Sequence, residues 1–153
     1  MIYIYILQLE DGCYYIGRTS DVKKRYKYHK AGYGSTWTKL HKPIRLLEIV
    51  EDASPYDEDR YVKEYMAKYG IDKVRGGTYV KIHLDKLQKY LLEKEIWNAQ
   101  DSCVRCGRNG HFVTNCYEKY NINNEQIIYQ NDNQTGLEEL PTIDDIYSGC
   151  LIM

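Results

Sequence analysis

The sequence predicts an α+β fold in which a small three-stranded antiparallel sheet is flanked by helices, followed by a short Cys/His motif and a disordered acidic tail. Three observations lead there. Ile2 to Leu9 is rich in β-branched and aromatic residues that alternate in character. Across the turn signal Asp11-Gly12 it meets Tyr14-Tyr15-Ile16-Gly17, the pattern of a hairpin. Stretches beginning near Ser20, Tyr56 and Asp85 carry helical spacing, and residues 103–116 crowd three cysteines and a histidine into a segment too small to own a core.

Taken in order, the hairpin places Tyr5 and Tyr15 on neighbouring strands. Ser20-Asp21 offers an N-cap for a helix over Val22 to Lys30, on which Arg25 and His29, four apart, share a face. Gly32 to Thr38 reads as a loop and Ile44 to Val50 as the third strand, broken by Asp52 to Pro55. From Tyr56 a helix runs to about Gly70, its Tyr61, Val62, Tyr65 and Met66 at core spacing and Asp57-Glu58-Asp59 in its first turn. Acids there also favour a helix N-terminus for purely local reasons. Gly76-Gly77 marks a turn, Lys81 to Leu84 a short extended piece, and Asp85 to Ala99 a helix with Leu87, Tyr90, Leu91 and Trp97 on one side. The expected division is 1–83 as the main domain, 84–101 as a helical connector, 102–117 as the Cys/His motif and 118–153 as the acidic tail.

A net charge of −1 conceals an asymmetry. After Lys119 there is no Lys or Arg but there are six acids, so Met1 to Lys119 carries +5. The excess lies at the front, where Arg18, Lys23, Lys24, Arg25, Lys27, Lys30, Lys39, Lys42 and Arg45 face only Glu10, Asp11 and Asp21. Such a face suits a phosphate backbone. Seventeen tyrosines against one phenylalanine supply many half-buried rings with polar tips, most of them for packing and a few for stacking on bases. No apolar run approaches the roughly 18 to 20 residues of a membrane helix, and no signal-type segment precedes the first strand. Five cysteines, an odd number, point to metal ligation in a reducing compartment, the nucleus or cytoplasm, and away from a disulfide framework.

Cys103, Cys106, His111 and Cys116 follow one another with two, four and four residues between them, and three thiolates with one imidazole close a tetrahedral structural Zn2+ site. Gly107 and Gly110 permit the tight turns that so short a loop requires. Ligand for ligand and glycine for glycine the motif resembles the CCHC zinc knuckle. Arg105, Arg108 and Phe112 are the parts that a single-stranded nucleic acid would meet, and a protein partner is the alternative occupant.

Tyr3-Ile4-Tyr5, Tyr15-Ile16-Gly17, Arg25 and His29 together resemble the GIY-YIG nuclease superfamily. The resemblance continues through Gly34 to Thr38 and Lys42-Pro43, as in the branch that includes junction-cutting nucleases, and on to Glu58 with Tyr61-Val62-Lys63-Glu64. It covers roughly the first half of the chain, and Tyr3 stands where the first glycine of the family motif is usual. Val74-Arg75-Gly76-Gly77 with the downstream cysteines is similar to nucleases of large DNA viruses. The resemblance implies hydrolysis of DNA phosphodiester bonds with one divalent metal, Mg2+ or Mn2+, held by Glu58, and structure-selective cutting. It further implies Tyr5 as base with His29 assisting, Arg25 on the phosphate, and Tyr15 and Arg18 helping to hold it. A nucleic-acid-binding module without catalysis and a protein-interaction adaptor are the alternatives. Cys150-Leu151-Ile152-Met153 has the form of a prenylation box, which makes Cys150 a lipidation candidate for membrane association.

Overall fold

The computed structural model describes residues 1–128, so the prenylation box and most of the acidic tail lie outside the described residues. The predicted hairpin is present as β1 (Tyr3–Leu9) and β2 (Tyr14–Thr19), joined by a single 3-10 turn in which Asp11 adopts φ 61°. Helix α1 (Val22–Lys30) starts where Asp21 accepts the Lys24 N–H, and β3 (Pro43–Val50) pairs antiparallel with β1. Helix α3 covers Asp57–Tyr69 and α4 covers Lys86–Ala99, the latter capped by Asp85.

Two elements go beyond the sequence reading. The stretch expected as a loop contains a short helix, α2 (Thr36–Leu40), begun by the Ser35 side chain accepting the Thr38 N–H. The sheet has a fourth strand, β4 (Val74–Gly76), which runs parallel to β2 and gives the order β3-β1-β2-β4. The three predicted antiparallel strands therefore sit within a mixed sheet. Lys81 to Leu84, expected to extend, bends instead.

Period-2 alternation divides the sheet into two faces. Ile4, Ile6, Tyr14, Ile16 and Val74 point to one side, where Val62 and Met66 of α3 and Leu92 and Ile96 of α4 complete a core. The predicted connector thus packs on the main domain, but through Leu92 and Ile96: of the side expected from the sequence only Trp97 is buried, and Leu87, Tyr90 and Leu91 are exposed. Tyr5, Leu7, Leu9, Cys13 and Tyr15 point to the other side, under α1 and α2, and close around Trp37. Residues 118–128, read from the sequence as the start of the tail, fold back on the Cys/His motif: the Ile122 N–H donates to the Cys106 carbonyl at 2.7 Å. Among the described residues no helix is long and apolar enough to cross a membrane.

Arg75 on β4 is 1 % exposed, a buried cation held by carbonyl oxygens. Its guanidinium donates to Ile71, Val74, Lys81 and Ile82 at 2.6 to 2.9 Å, which accounts for the bend at 81–84, and it lies 4.8 Å from the Trp37 ring centroid. Arg75→Met strands those acceptors away from water, so unfolding in urea should show a loss of about 3 kcal/mol or more. Arg60→Met, which breaks exposed ion pairs and an exposed cation–π contact with Tyr61, is expected to cost only about 1 kcal/mol.

Candidate active site

The register of the hairpin builds the site. Tyr5 stands opposite Gly17, while Tyr15, opposite Leu7, lies one diagonal away on the same face. A Cβ at Gly17 would come within 2.3 Å of the Tyr5 hydroxyl, so only glycine lets the phenol lie flat across β2. Helix α1 then lays His29 over both tyrosines, with ring centroids 5.7 Å from Tyr5 and 5.0 Å from Tyr15. Gly34 lets the following loop close on the imidazole, since a Cβ there would sit 2.0 Å from Nδ1. Tyr5 and His29 are each 1 % exposed.

Burial obliges every polar atom in this cluster to find a partner, and the partners set the direction of each proton. The Thr38 hydroxyl has one hydrogen and donates it to the Ser35 carbonyl at 3.0 Å. Its 2.8 Å contact with His29 Nδ1 is therefore one it accepts, and Nδ1 carries the ring proton. Nε2 is left as the acceptor for the Tyr5 hydroxyl, 2.8 Å away. Arg25 Nε donates to the same phenol oxygen at 3.3 Å from an exposed position. A single directed chain thus runs from the surface guanidinium through Tyr5 and His29 to Thr38.

Electrostatics follow from that burial. Desolvation raises the Tyr5 phenol above its ordinary value, Tyr15 adds to the rise, and Arg25 opposes it. Tyr15 is likewise raised, first by burial. Burial and then the Arg25 charge lower His29 to about 4, which keeps the imidazole neutral at pH 7.

Glu58 enters from the opposite layer, at the N-terminal turn of α3, where burial raises its carboxyl and Arg18 opposes the rise. Arg18 Nε lies 3.8 Å from Glu58 Oε2, and the Glu58 charge is felt at both Tyr5 and Tyr15. The structure therefore joins Tyr5, Tyr15, Arg25 and His29 in direct contact and sets Arg18 and Glu58 as a pair beside them. Thr38 and Ser35 were missed by the sequence reading as functional residues. Their spacing, a Ser with a Thr three positions on, is a helix-start signal that would have placed α2.

Comparison with known proteins bears on the front half of the chain. A family model described as the GIY-YIG catalytic domain matches residues 1–69. A UPF0213 protein of Halalkalibacterium halodurans is 39 % identical over 84 residues, which span 50 % of this chain and 87 % of the relative. The chain belongs to the GIY-YIG family. A UPF0213 protein of Streptococcus agalactiae is 42 % identical over 81 residues, spanning 53 % of this chain and 89 % of that protein. One from Lactococcus lactis is 30 % identical over 95 residues, spanning 61 % and 95 %. No solved structure matches the chain significantly.

Beyond the family match, Cys103, Cys106, His111 and Cys116 converge so that their ligand atoms lie within 4.8 Å of one another. A tetrahedral ion at Zn–S of about 2.3 Å needs sulfurs about 3.8 Å apart, so the donor set and its spacing fit a zinc knuckle. Gly107 packs against Trp97 of α4, where a Cβ would lie 2.6 Å from the indole. The two arginines expected to face nucleic acid are half-buried and bonded within the motif and the segment that follows it. Arg105 donates to the Cys116 and Glu118 carbonyls and Arg108 to the Tyr120 carbonyl, while Phe112 stays 73 % exposed.

The depressed His29 has a consequence for stability. Its folded value lies below the ordinary 6.5, so between pH 6.5 and 4 the unfolded chain takes up a proton that the folded chain refuses. Stability is complete above this window and falls as the pH drops through it. Urea unfolding at pH 7 and pH 4.5 should show the parent losing roughly 2 to 3 kcal/mol more than His29→Gln, which keeps a donor and an acceptor but cannot titrate. Equal losses would show that His29 is not held neutral.

Proposed function

We propose that the chain is a metal-dependent endonuclease that hydrolyses phosphodiester bonds in DNA. The observation that carries the reading is the directed hydrogen-bond chain from Arg25 through Tyr5 to neutral His29, lying beside the Arg18–Glu58 pair on the most basic part of the molecule. Family membership supports it, since GIY-YIG domains are known for endonuclease activity.

The buried phenol is a poor free-standing base because burial holds its proton, but that proton already points at His29 Nε2. Tyr5 can therefore take a proton from the attacking water while passing its own to His29, so no isolated phenolate forms. Arg25 steadies the phenol oxygen and, being exposed, also faces the phosphate. Arg18 and the Tyr15 hydroxyl flank the same space. The water oxygen ends on phosphorus, the bond to the leaving sugar oxygen breaks and that oxygen takes a proton from solvent, while the imidazolium left at His29, which its surroundings disfavour, gives its extra proton back through Tyr5 to solvent and resets the relay. Glu58 is a half-buried carboxylate, a donor suited to a hard oxygen-seeking dication such as Mg2+ or Mn2+ and unlike the thiolate cluster. When bound there, such an ion supplies positive charge to the phosphate and the leaving oxygen.

Glu58→Ala and Tyr5→Phe should each lower the single-turnover cleavage rate by about 10² or more with far-UV circular dichroism unchanged. A Glu58→Ala protein that cuts as fast as the parent would contradict the assignment.

The Cys/His cluster is proposed to hold Zn2+ as a structural ion, separate from the ion at Glu58. Its thiolates and imidazole come from a loop that Gly107 seats against Trp97 of α4 and that Ile122 braces at Cys106. After dialysis against a weak chelator the parent should retain one zinc per chain and lose magnesium. Cys106→Ser is expected to release the zinc while Glu58-dependent cleavage survives, and unchanged zinc content in that variant would remove Cys106 from the ligands.

A further inference from the structure

The Val74-Arg75-Gly76-Gly77 motif has no part in the relay of Tyr5 and His29, yet it ends against the acidic turn of α3. We infer that the Gly76-Gly77-Thr78 turn, clamped by Arg75, is a positioning device that singles out Glu58 from its two acidic neighbours and aims its carboxylate at the divalent cation. The inference rests on the reading of Glu58 as the residue that holds that cation.

Asp57, Glu58 and Asp59 are consecutive, and each has a different partner. Asp57 is consumed locally: it accepts the Ser54 N–H at 2.8 Å and pairs with Arg60 at 3.2 Å. Asp59 is consumed by the turn, where it accepts the Thr78 N–H at 2.9 Å and the Thr78 hydroxyl on its other oxygen. Only Glu58 is left facing Arg18 and the tyrosines. A carboxylate with both oxygens already bonded competes poorly for a metal, so satisfying Asp57 and Asp59 leaves one ligand of defined direction.

The glycines make this close approach feasible. Gly77 has φ +54°, and a Cβ there would fall 2.0 Å from Asp59 Oδ1 and 3.5 Å from Glu58 Cγ. Gly76 has φ +143°, and a Cβ there would fall 1.9 Å from the Ile16 carbonyl, so β4 can lie against β2 one residue from Gly17. Paired backbone bonds between Gly76 and Tyr79, at 3.0 and 2.9 Å, close the turn. Arg75 gathers the carbonyls on both sides of it, Ile71 before and Lys81 and Ile82 after, and so fixes where the turn meets α3. A buried arginine and two glycines thereby connect the strand under Tyr5 to the helix that carries Glu58.

The test is Mn2+ binding by the full-length, zinc-loaded protein without DNA, followed by electron paramagnetic resonance of the free ion. Glu58→Ala identifies the site. Thr78→Val, which loses the hydroxyl bond to Asp59 but keeps the N–H, and Gly77→Ala, which intrudes on Asp59, should each weaken that site by about 10-fold or more. Thr78→Ser should restore parental affinity, and zinc content and circular dichroism should not change. In cleavage assays the Thr78→Val defect should shrink at saturating Mn2+, because the ion is bound less tightly but used normally. Parental Mn2+ affinity in both Thr78→Val and Gly77→Ala overturns the inference while leaving the role of Glu58 standing. A parent with no Glu58-dependent Mn2+ site overturns both. Mn2+ binding that follows the expected pattern with no DNA cleavage supports the positioning role and sinks the nuclease reading alone.

Discussion

A phenol and an imidazole buried side by side, each almost wholly covered, impose the constraint on which the rest of this structure depends. Each polar atom left unmatched there costs on the order of 1 to 3 kcal/mol, so the fold has to bring its partners to fixed points. Tyr5 needs a glycine opposite it on β2, and Gly17 is that residue. His29 needs an acceptor for Nδ1–H, which Thr38 provides only because Ser35 starts a short helix and takes up the threonine proton. Gly34 lets the loop come close enough for this to happen. The same satisfied network fixes which way protons point, so the conditions for burial and for acid–base chemistry coincide.

A second buried polar group governs the other half of the site. Arg75 stays a cation solvated by carbonyl dipoles, and the loop that supplies them cannot extend as a strand. Its guanidinium also lies against Trp37, the neighbour of Thr38, while the turn it clamps reaches Asp59 and Glu58. The two halves of the site are thereby mechanically joined, although they occupy opposite layers of the sheet. The Cys/His cluster connects more remotely, through Trp97 at the end of α4, whose Leu92 and Ile96 sit in the core beside α3. Half-buried Arg105 and Arg108 tie that module to the segment that follows it, with Phe112 its exposed ring.

Much of this was legible in the chain because it depends on local periodicity. A hairpin with one clear turn puts Tyr5 and Tyr15 on one face, and a helix with a capping aspartate puts Arg25 and His29 four apart, so four residues converge by short-range rules alone. The Cys/His spacing is legible for the same reason. The rest depends on partners far apart in sequence. Thr38 becomes meaningful only when α2 packs over α1, and β4 is three residues long, too short to announce itself and paired in parallel with a strand some 60 residues earlier. Arg75 reads as a surface cation until the loop around it is closed. The three acids at the start of α3 look equivalent on paper, and Thr78, 19 residues beyond Asp59, is what distinguishes them. Residues 118–128 look like a polar tail by composition, while Asn121 and Glu125 in fact bond each other and the turn between them.

The central claim is that this buried relay and the adjoining carboxylate cut DNA with the help of a dissociable divalent ion. The most direct measurement uses the unaltered, zinc-loaded protein on supercoiled plasmid, first stripped of Mg2+ by a chelator too weak to remove zinc, then given Mg2+ or Mn2+ again. The account predicts no nicking in the stripped state and recovery of nicked and linear DNA when either ion returns, with zinc content constant throughout. Cleavage that continues unchanged without the added ion, or that never appears with it while zinc is fully retained, would contradict the account.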